Sequence, residues 1–327
     1  MDRRGKRFLG ILAIACIILM FVVPGAQAQS QDKFPTRSVD IIVPTVPGGG
    51  ADVSARLIAE QLKTRWGVGV NVVNKPGGNT IVGNAEVNQA KPDGYTVLAD
   101  GLAGTMILEV GNKNLPFKVL DRTFIGVIGV APIVMIVPAA SPIKNLKDLE
   151  AEIKKDPEHF TWGSFGGGSP GDFLIRQFFA EIGVDAAKTK PVAARGGAEL
   201  VVLVAGNNVK MGYGTPAAAF PHWKAGTVRP IAVTGYRVSE YPDTPTTKEQ
   251  GYPKASMVFT QGITGPPKMP PAVLKKWTET LQQTVKDQDF AAKMKEVGFK
   301  AEYMGPDETK ELMRKGMEEA RVLWGTK

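Results

Sequence analysis

From residue 39 onward, short β-branched runs alternate with stretches in which apolar residues recur every three or four positions. VDIIVP at 39–44 predicts a strand, and ADVSARLIAEQLKTRWG at 51–67 places Val53, Leu57, Ile58, Gln61 and Leu62 at helical spacing until Gly67 stops it. VGVNVVN at 68–74 predicts a second strand and NTIVGNAEVNQAKPDG at 79–94 a second helix, closed by the Pro92-Asp93-Gly94 turn. YTVLAD at 95–100 predicts a third strand. Strand, helix, strand, helix, strand at this spacing calls for a parallel sheet with right-handed crossovers.

The glycine-dotted run TFIGVIGVAPIVMIVP at 123–138 is long enough for two strands, and the alternation then resumes. Helices are predicted at 145–157, 171–183 and 197–207, and strands at 159–164, 189–194, 209–214 and 227–235. A Pro- and Gly-rich passage at 241–255 leads to MVFTQGITGPP, and two amphipathic helices close the chain, Pro271 to Gly298 and Asp307 to Trp324. The fold class is α/β, with a second unit inserted into the first. The expected division is 1–28 as a signal peptide, 29–126 plus 256–327 as one lobe, and 127–255 as the inserted lobe. Two α/β units joined by more than one crossing predict a cleft, since ligands of open α/β sheets sit beyond the carboxyl ends of strands.

The first residues follow a different pattern. MDRRGKR is basic, the next 16 residues are apolar, and GAQAQ supplies small residues at Ala26 and Ala28, which together read as a cleavable secretory signal. An uncleaved anchor helix or a lipid on Cys16 fits less well, because the run is short and AIA is a poor attachment motif. Loss of Arg3, Arg4, Lys6, Arg7 and Asp2 lowers the formal charge from +8 to +5. The remaining Lys and Arg are scattered among Glu and Asp, with no basic and aromatic stripe, so nucleic acid is not an expected partner. A small anion is compatible with this balance. Cys16, the single cysteine, leaves with the signal, so the exported chain has no disulfide and relies on its core.

Candidate chemistry concentrates in glycine-rich loops between predicted strands and helices: PTVPGGGAD at 44–52, NKPGGNT at 74–80 and WGSFGGGSPGD at 162–172. The strand end GYGTPAAA at 212–219 has the same character. Glycine lets backbone N–H groups approach a ligand, and the first N–H groups of a helix have no internal partner, so such loops favour a carboxylate or phosphate. Thr80, Ser164, Ser169 and Thr215 could add hydroxyl donors, whereas Asp52 and Asp172 suit helix capping. Trp162 and Tyr213 fall at strand ends, where they could either pack the core or form a wall against a ligand's carbon skeleton.

Nucleotide and catalytic motifs are missing. VPGGGADVSAR has neither the Lys-Ser/Thr of a P-loop nor the G-x-G-x-x-G spacing, and WGSFG is not the G-x-S-x-G elbow. His159 and His222 are the two histidines, and neither has metal-ligand spacing to a Cys, Asp or Glu. No metal, cofactor or catalytic residue is therefore expected. A secreted hydrolase of small esters or amides, using Ser164 and His222, and a ligand sensor for a membrane signalling protein remain the competing readings.

Three segments carry a resemblance. FPTRSVDIIVPTVPGGGADVSARLIAEQL, VVNKPGGNTIVGNAEVNQAKPDGYTVL and GTVRPIAVTGYRVSEYPDTPTTKEQGYP resemble the substrate-binding proteins of tripartite tricarboxylate transporters, the Bug family, and the likeness covers essentially the whole mature chain. The resemblance implies a two-lobed periplasmic-binding-protein fold of the type II, Venus-flytrap kind, each lobe a mostly parallel sheet flanked by helices. It further implies a monomeric periplasmic receptor that captures a di- or tricarboxylate, aromatic acid or amino acid and delivers it to membrane permease subunits. By position, Pro47, Gly48, Gly49, Gly50, Ala51 and Asp52 would supply the first ligand loop. Gly163, Ser164, Gly168 and Ser169 would supply the second, with Gly214 and Thr215 at a position that varies with ligand. Two departures stand out: Ser169-Pro170-Gly171-Asp172 replaces the family's Ser-x-x-His, and Ala193-Ala194-Arg195-Gly196 replaces a Pro-Tyr-Lys-Gly turn. Arg195 is thus the nearest strong cation, either solvated or in bidentate contact with a distal carboxylate.

Overall fold

The computed structural model describes residues 34–325, apart from Gly49, Asn79, Lys113, Gly167 and Arg195. The signal-peptide expectation at 1–28, and those for Gly49 and Arg195, lie outside the described residues.

The β-branched run at the start forms β1 (Val39–Val43), followed by α1 (Gly50–Trp66), β2 (Val70–Asn74), α2 (Ile81–Gln89) and β3 (Thr96–Gly101). β1 pairs in parallel with both β2 and β3, in the crossover arrangement expected. Next come α3 (Leu102–Gly111), β4 (Thr123–Ala131) and β5 (Val134–Pro138). The inserted segment continues with α4 (Leu146–Lys155), β6 (Thr161–Ser164), α5 (Pro170–Glu181), β7 (Lys190–Ala193) and α6 (Gly197–Ala205). It ends with β8 (Gly212–Gly214), α7 (Pro216–Lys224) and β9 (Val228–Val233). β10 (Phe259–Gly265), α8 (Pro271–Val285), α9 (Gln288–Glu296), β11 (Lys300–Met304) and α10 (Pro306–Leu323) complete the chain.

Six strands form one sheet in the order β11-β4-β10-β3-β1-β2. The inserted segment forms β8-β5-β9 and the pair β6-β7, linked by a bridge between Trp162 and Met211. The expectation of mostly parallel sheets is corrected: β2-β1-β3 and β6-β7 pair in parallel, but the other five pairs run antiparallel, so both units are mixed. For β4 and β10 the reason is topological: β4 carries the chain out of the first sheet and β10 carries it back, so the two lie head to tail.

One face of the six-stranded sheet packs on α1, α8 and α9 through Ile58, Leu62, Trp277, Leu281 and Phe290. The edge-to-face pair Trp66–Trp277 at 4.7 Å anchors this layer, and the Trp277 indole N–H donates to the Gly94 carbonyl at 3.1 Å. The other face packs on α3 and α10 through Leu102, Met106, Met313 and Met317. A separate core in the inserted segment collects Ile136, Phe160, Trp162, Leu174, Phe178 and Tyr213. Trp162 and Tyr213 are therefore core residues and do not form a ligand wall: both are buried, and the Trp162 N–H donates to Thr189.

α5 belongs to both units. Leu174 and Phe178 enter the inserted core, while Phe173 enters the core built by α3 and α10. Gln177 donates to Glu319 of α10 at 2.9 Å and accepts the N–H groups of Ser256 and Met257, where the chain returns to the first sheet.

α3 and β11 lie beyond the sequence reading. Seven of the ten α3 residues are buried, so its apolar positions show no amphipathic period. The helix expected at 271–298 is interrupted at Lys286–Asp287, where Asp287 caps α9 by accepting the Phe290 N–H.

Gly171 sits where an added Cβ would overlap the ring of buried Tyr213. Gly171→Ala should lower stability by about 1–3 kcal/mol through overpacking. Gly111→Ala, at an exposed position with open space around it, should stay within about 0.5 kcal/mol. Urea unfolding of both variants checks the contrast.

Candidate functional site

The carboxyl ends of strands from both units face each other across a cleft of about 560 Å³. On one side stand Pro44, Thr45 and Val46 after β1, Asp100 and Gly101 at the end of β3, and Phe259, Thr260 and Gln261 at the entry of β10. On the other side stand Phe165, Gly168 and Ser169 after β6, Ala194 and Gly196 after β7, and Thr215 after β8. A smaller groove of about 330 Å³, bordered by Arg237, Glu240, Lys295 and Lys300, shares Phe299 with the cleft but none of these strand-end residues.

The cleft lining includes the starts of six helices: Gly50 and Ala51 of α1, Thr80 before α2, Gly101 before α3, Ser169 and Pro170 of α5, Gly196 before α6 and Thr215 before α7. Ser169 and Thr215 cap their own helices, accepting the N–H groups of Asp172 and Ala218. α2, α3 and α6 have no side-chain cap bond; at α2 the Ile81 and Val82 N–H groups donate to the Gly78 and Gly77 carbonyls, so the first N–H groups left for a ligand are those of α3 and α6. Helix starts also carry partial positive charge, and six at one site make a strong anion trap.

The supporting residues explain why this backbone holds its shape. Asp52 is buried under the first glycine loop, where it accepts the Gly48 N–H at 2.9 Å, a two-pronged contact from Arg56 and the Asn74 amide at 2.9 Å. Burial opposes its ionisation, yet the bonds from Arg56, Gly48 and Asn74 outweigh that and hold its carboxyl below the usual range. Thr80 adopts φ 74°, a left-handed conformation that is unfavourable for a β-branched residue. It is held there because its carbonyl accepts both the backbone and the side-chain N–H of buried Asn84, whose own oxygen accepts from buried Arg122 at 2.6 Å. Burial lowers the pKa of Arg122, opposed by the negative charges of Asp100 and Glu109. Burial likewise raises that of Asp100, opposed by Arg122 and by the hydrogen bond from Thr105.

Of the site residues read from sequence, Gly50, Ala51, Gly168, Ser169 and Thr215 are brought together at the cleft. Pro47 and Gly48 are exposed outside its lining, and Asp52 acts beneath it. Gly163 and Ser164 stand back in β6: a Cβ on Gly163 would meet Leu200 at 2.7 Å, and the buried Ser164 hydroxyl accepts the Gly166 N–H. Gly214 is packed near Val201 inside the second unit. His222 borders Thr227 and His159 pairs with exposed Asp156, so neither forms a hydrogen bond with Ser164. Among the described residues, no group of three or more His, Cys, Asp or Glu could hold a metal ion, and no helix is long and apolar enough to cross a membrane.

Residues 54–323 match the family described as "Tripartite tricarboxylate transporter family receptor". The chain belongs to this receptor family. The receptor is 32% identical over 272 residues to a UPF0065 protein of Bordetella pertussis, covering 83% of its own length and 82% of that protein. It shares the fold of the periplasmic binding protein BugD, with TM-score 0.74 and 25% identity over 90% of this chain and 98% of that one. MatC from Rhodopseudomonas palustris, solved with bound malate, has the same fold at TM-score 0.75 and 19% identity, covering 89% and 99% of the two chains. Family and fold imply a periplasmic protein, and the family is described as one of receptors, BugD as a periplasmic binding protein.

The depressed Asp52 carboxyl gives the receptor's first loop a pH dependence. A group with a lowered folded pKa contributes stability above its unfolded pKa, about 3.9, and loses it as pH falls through the folded value. Asp52→Asn should therefore be less stable than wild type at pH 7, with the gap closing below about pH 4. Urea unfolding at both ends of that range checks this.

Proposed function

We propose that the receptor captures a small carboxylate in the cleft and presents it to membrane permease subunits of a tripartite tricarboxylate-type transporter. The carrying observation is the convergence of six helix starts on one cleft, three without a side-chain cap. A ligand carboxylate has enough lone pairs to accept several of these N–H groups at once. The apolar walls from Phe165, Phe259 and Phe299 would take its carbon skeleton.

The moving parts of this proposal are two lobes, one built on the six-stranded sheet and the other on residues 133–255, a start later than the expected 127 because β4 stays wholly in the first sheet, hinged at the crossings on either side. Ligand contact with both lobes favours the closed form by the difference in affinity between closed and open states. No bond is made or broken. Export through removal of residues 1–28 and action as a monomer complete the reading. Thr80, Gly101, Thr260 and Gln261 join Gly50, Ala51, Gly168, Ser169 and Thr215 as proposed ligand contacts, and Arg195 is proposed as a further one.

Thermal-shift screening of mono-, di- and tricarboxylates and aromatic acids tests this. A true ligand at a hundredfold excess over its Kd should add about 2.7 kcal/mol of stability and raise Tm. An added Cβ on Gly104 would lie 3.4 Å from the Gly168 carbonyl across the cleft, already a tight contact, so the larger side chain of Gly104→Leu should weaken binding by about tenfold or more. Absence of any stabilising acid, or ester hydrolysis abolished by Ser164→Ala, would overturn the proposal.

A further inference from the structure

The anion-attracting lining contains a carboxylate of the protein's own. Asp100 lies at the end of β3, is 3% exposed and forms part of the cleft lining. Its Oδ2 accepts the Thr105 hydroxyl, whereas its buried Oδ1 has no hydrogen-bond partner. Arg122 attracts it electrostatically without a hydrogen bond between the two.

A second side chain at the same strand end is in the complementary condition. Gln261 is 2% exposed, lines the cleft, and has a buried Nε2 without a partner. Gln261 pairs with Gly101 and Gly262 with Asp100, so the two side chains leave opposite faces of the β3–β10 ribbon at the end that meets the cleft. Buried polar atoms are rarely left unpaired in a native protein, and each one calls for an explanation. Gln261 requires an acceptor, which a ligand carboxylate supplies. Asp100 requires a donor, which a carboxylate does not supply, and two like charges brought close disfavour each other.

Building on the carboxylate-receptor proposal above, we infer that Asp100 is a specificity residue that selects acids carrying an N–H or O–H donor beside the carboxylate. The donor's hydrogen bond goes to Oδ1. Hydroxy acids and amino acids satisfy both Asp100 and Gln261; an unsubstituted acid of the same skeleton leaves Asp100 unpaired and repelled. The shared chemistry is the donor, and its two sources differ in charge.

Isothermal titration of the mature chain with matched series separates these cases. Succinate, malate and aspartate share one skeleton, as do 3-phenylpropanoate, phenyllactate and phenylalanine, which suit the Phe-lined walls. In whichever series binds, the substituted acid should bind at least tenfold more tightly than the unsubstituted one. Asp100→Ala should erase that preference while the unsubstituted acid binds as well or better. Asp100→Asn keeps an acceptor but no charge, so it should retain a hydroxy acid within a few-fold and lose an amino acid as Asp100→Ala does. If Asp100→Ala fails to fold, the wild-type ratio and the near-isosteric Asp100→Asn carry the test. Equal binding across a series, or a preference that survives in Asp100→Ala, overturns the assignment while leaving the receptor reading intact. Failure of every acid to bind overturns both.

Discussion

The first N–H groups of a helix have no partner within the helix, and this constraint organises the whole binding face. In a strand–helix unit the helix begins just past the carboxyl end of its strand, so each βα connection sends its unpaired donors to the same sheet edge. Two such edges facing each other bring six helix starts to one volume. The remaining architecture holds those starts at a usable separation: the Asp52 anchor under the first loop, the Asn84–Arg122 brace behind Thr80, and the caps on α5 and α7.

Much of this could be read in the sequence, because strand and helix periods and glycine loops are local signals. The β–α alternation and the loops at 44–52 and 162–172 gave the two-unit α/β frame and most of the cleft residues that were anticipated. What escaped was non-local. Asp100 reads as the last residue of an ordinary strand, and its importance depends on Thr105, Arg122 and the cleft coming together around it. Gln261 reaches the same place on a strand from the far end of the chain, through pairing that no local period encodes. α3 was hidden because a helix buried on most sides has no polar face to mark its period.

Ser164 and Ser169 show a finer limit. Both lie in one glycine-rich loop and carry the same hydroxyl, but Ser164 ends β6 and turns inward whereas Ser169 opens α5 at the cleft. Even Ser169 is heavily engaged, bonded to Asp172 and to the Tyr213 hydroxyl at 2.7 Å, so its part in the site includes fixing the helix start. Trp162 and Tyr213 followed the same rule: a large aromatic at a strand end with aromatic core neighbours packs inward.

The double membership of α5 has a mechanical consequence. A helix rooted in both cores resists their separation, so the closure proposed above has to repack Phe173 against one core or Leu174 and Phe178 against the other. Its amino end is tied to the inserted core as well, because the Ser169 hydroxyl bonds to that of Tyr213. The head of α5 therefore stands with Gly196 and Thr215 on one jaw of the cleft, while the same helix, two turns or fewer away, is already part of the other jaw's core.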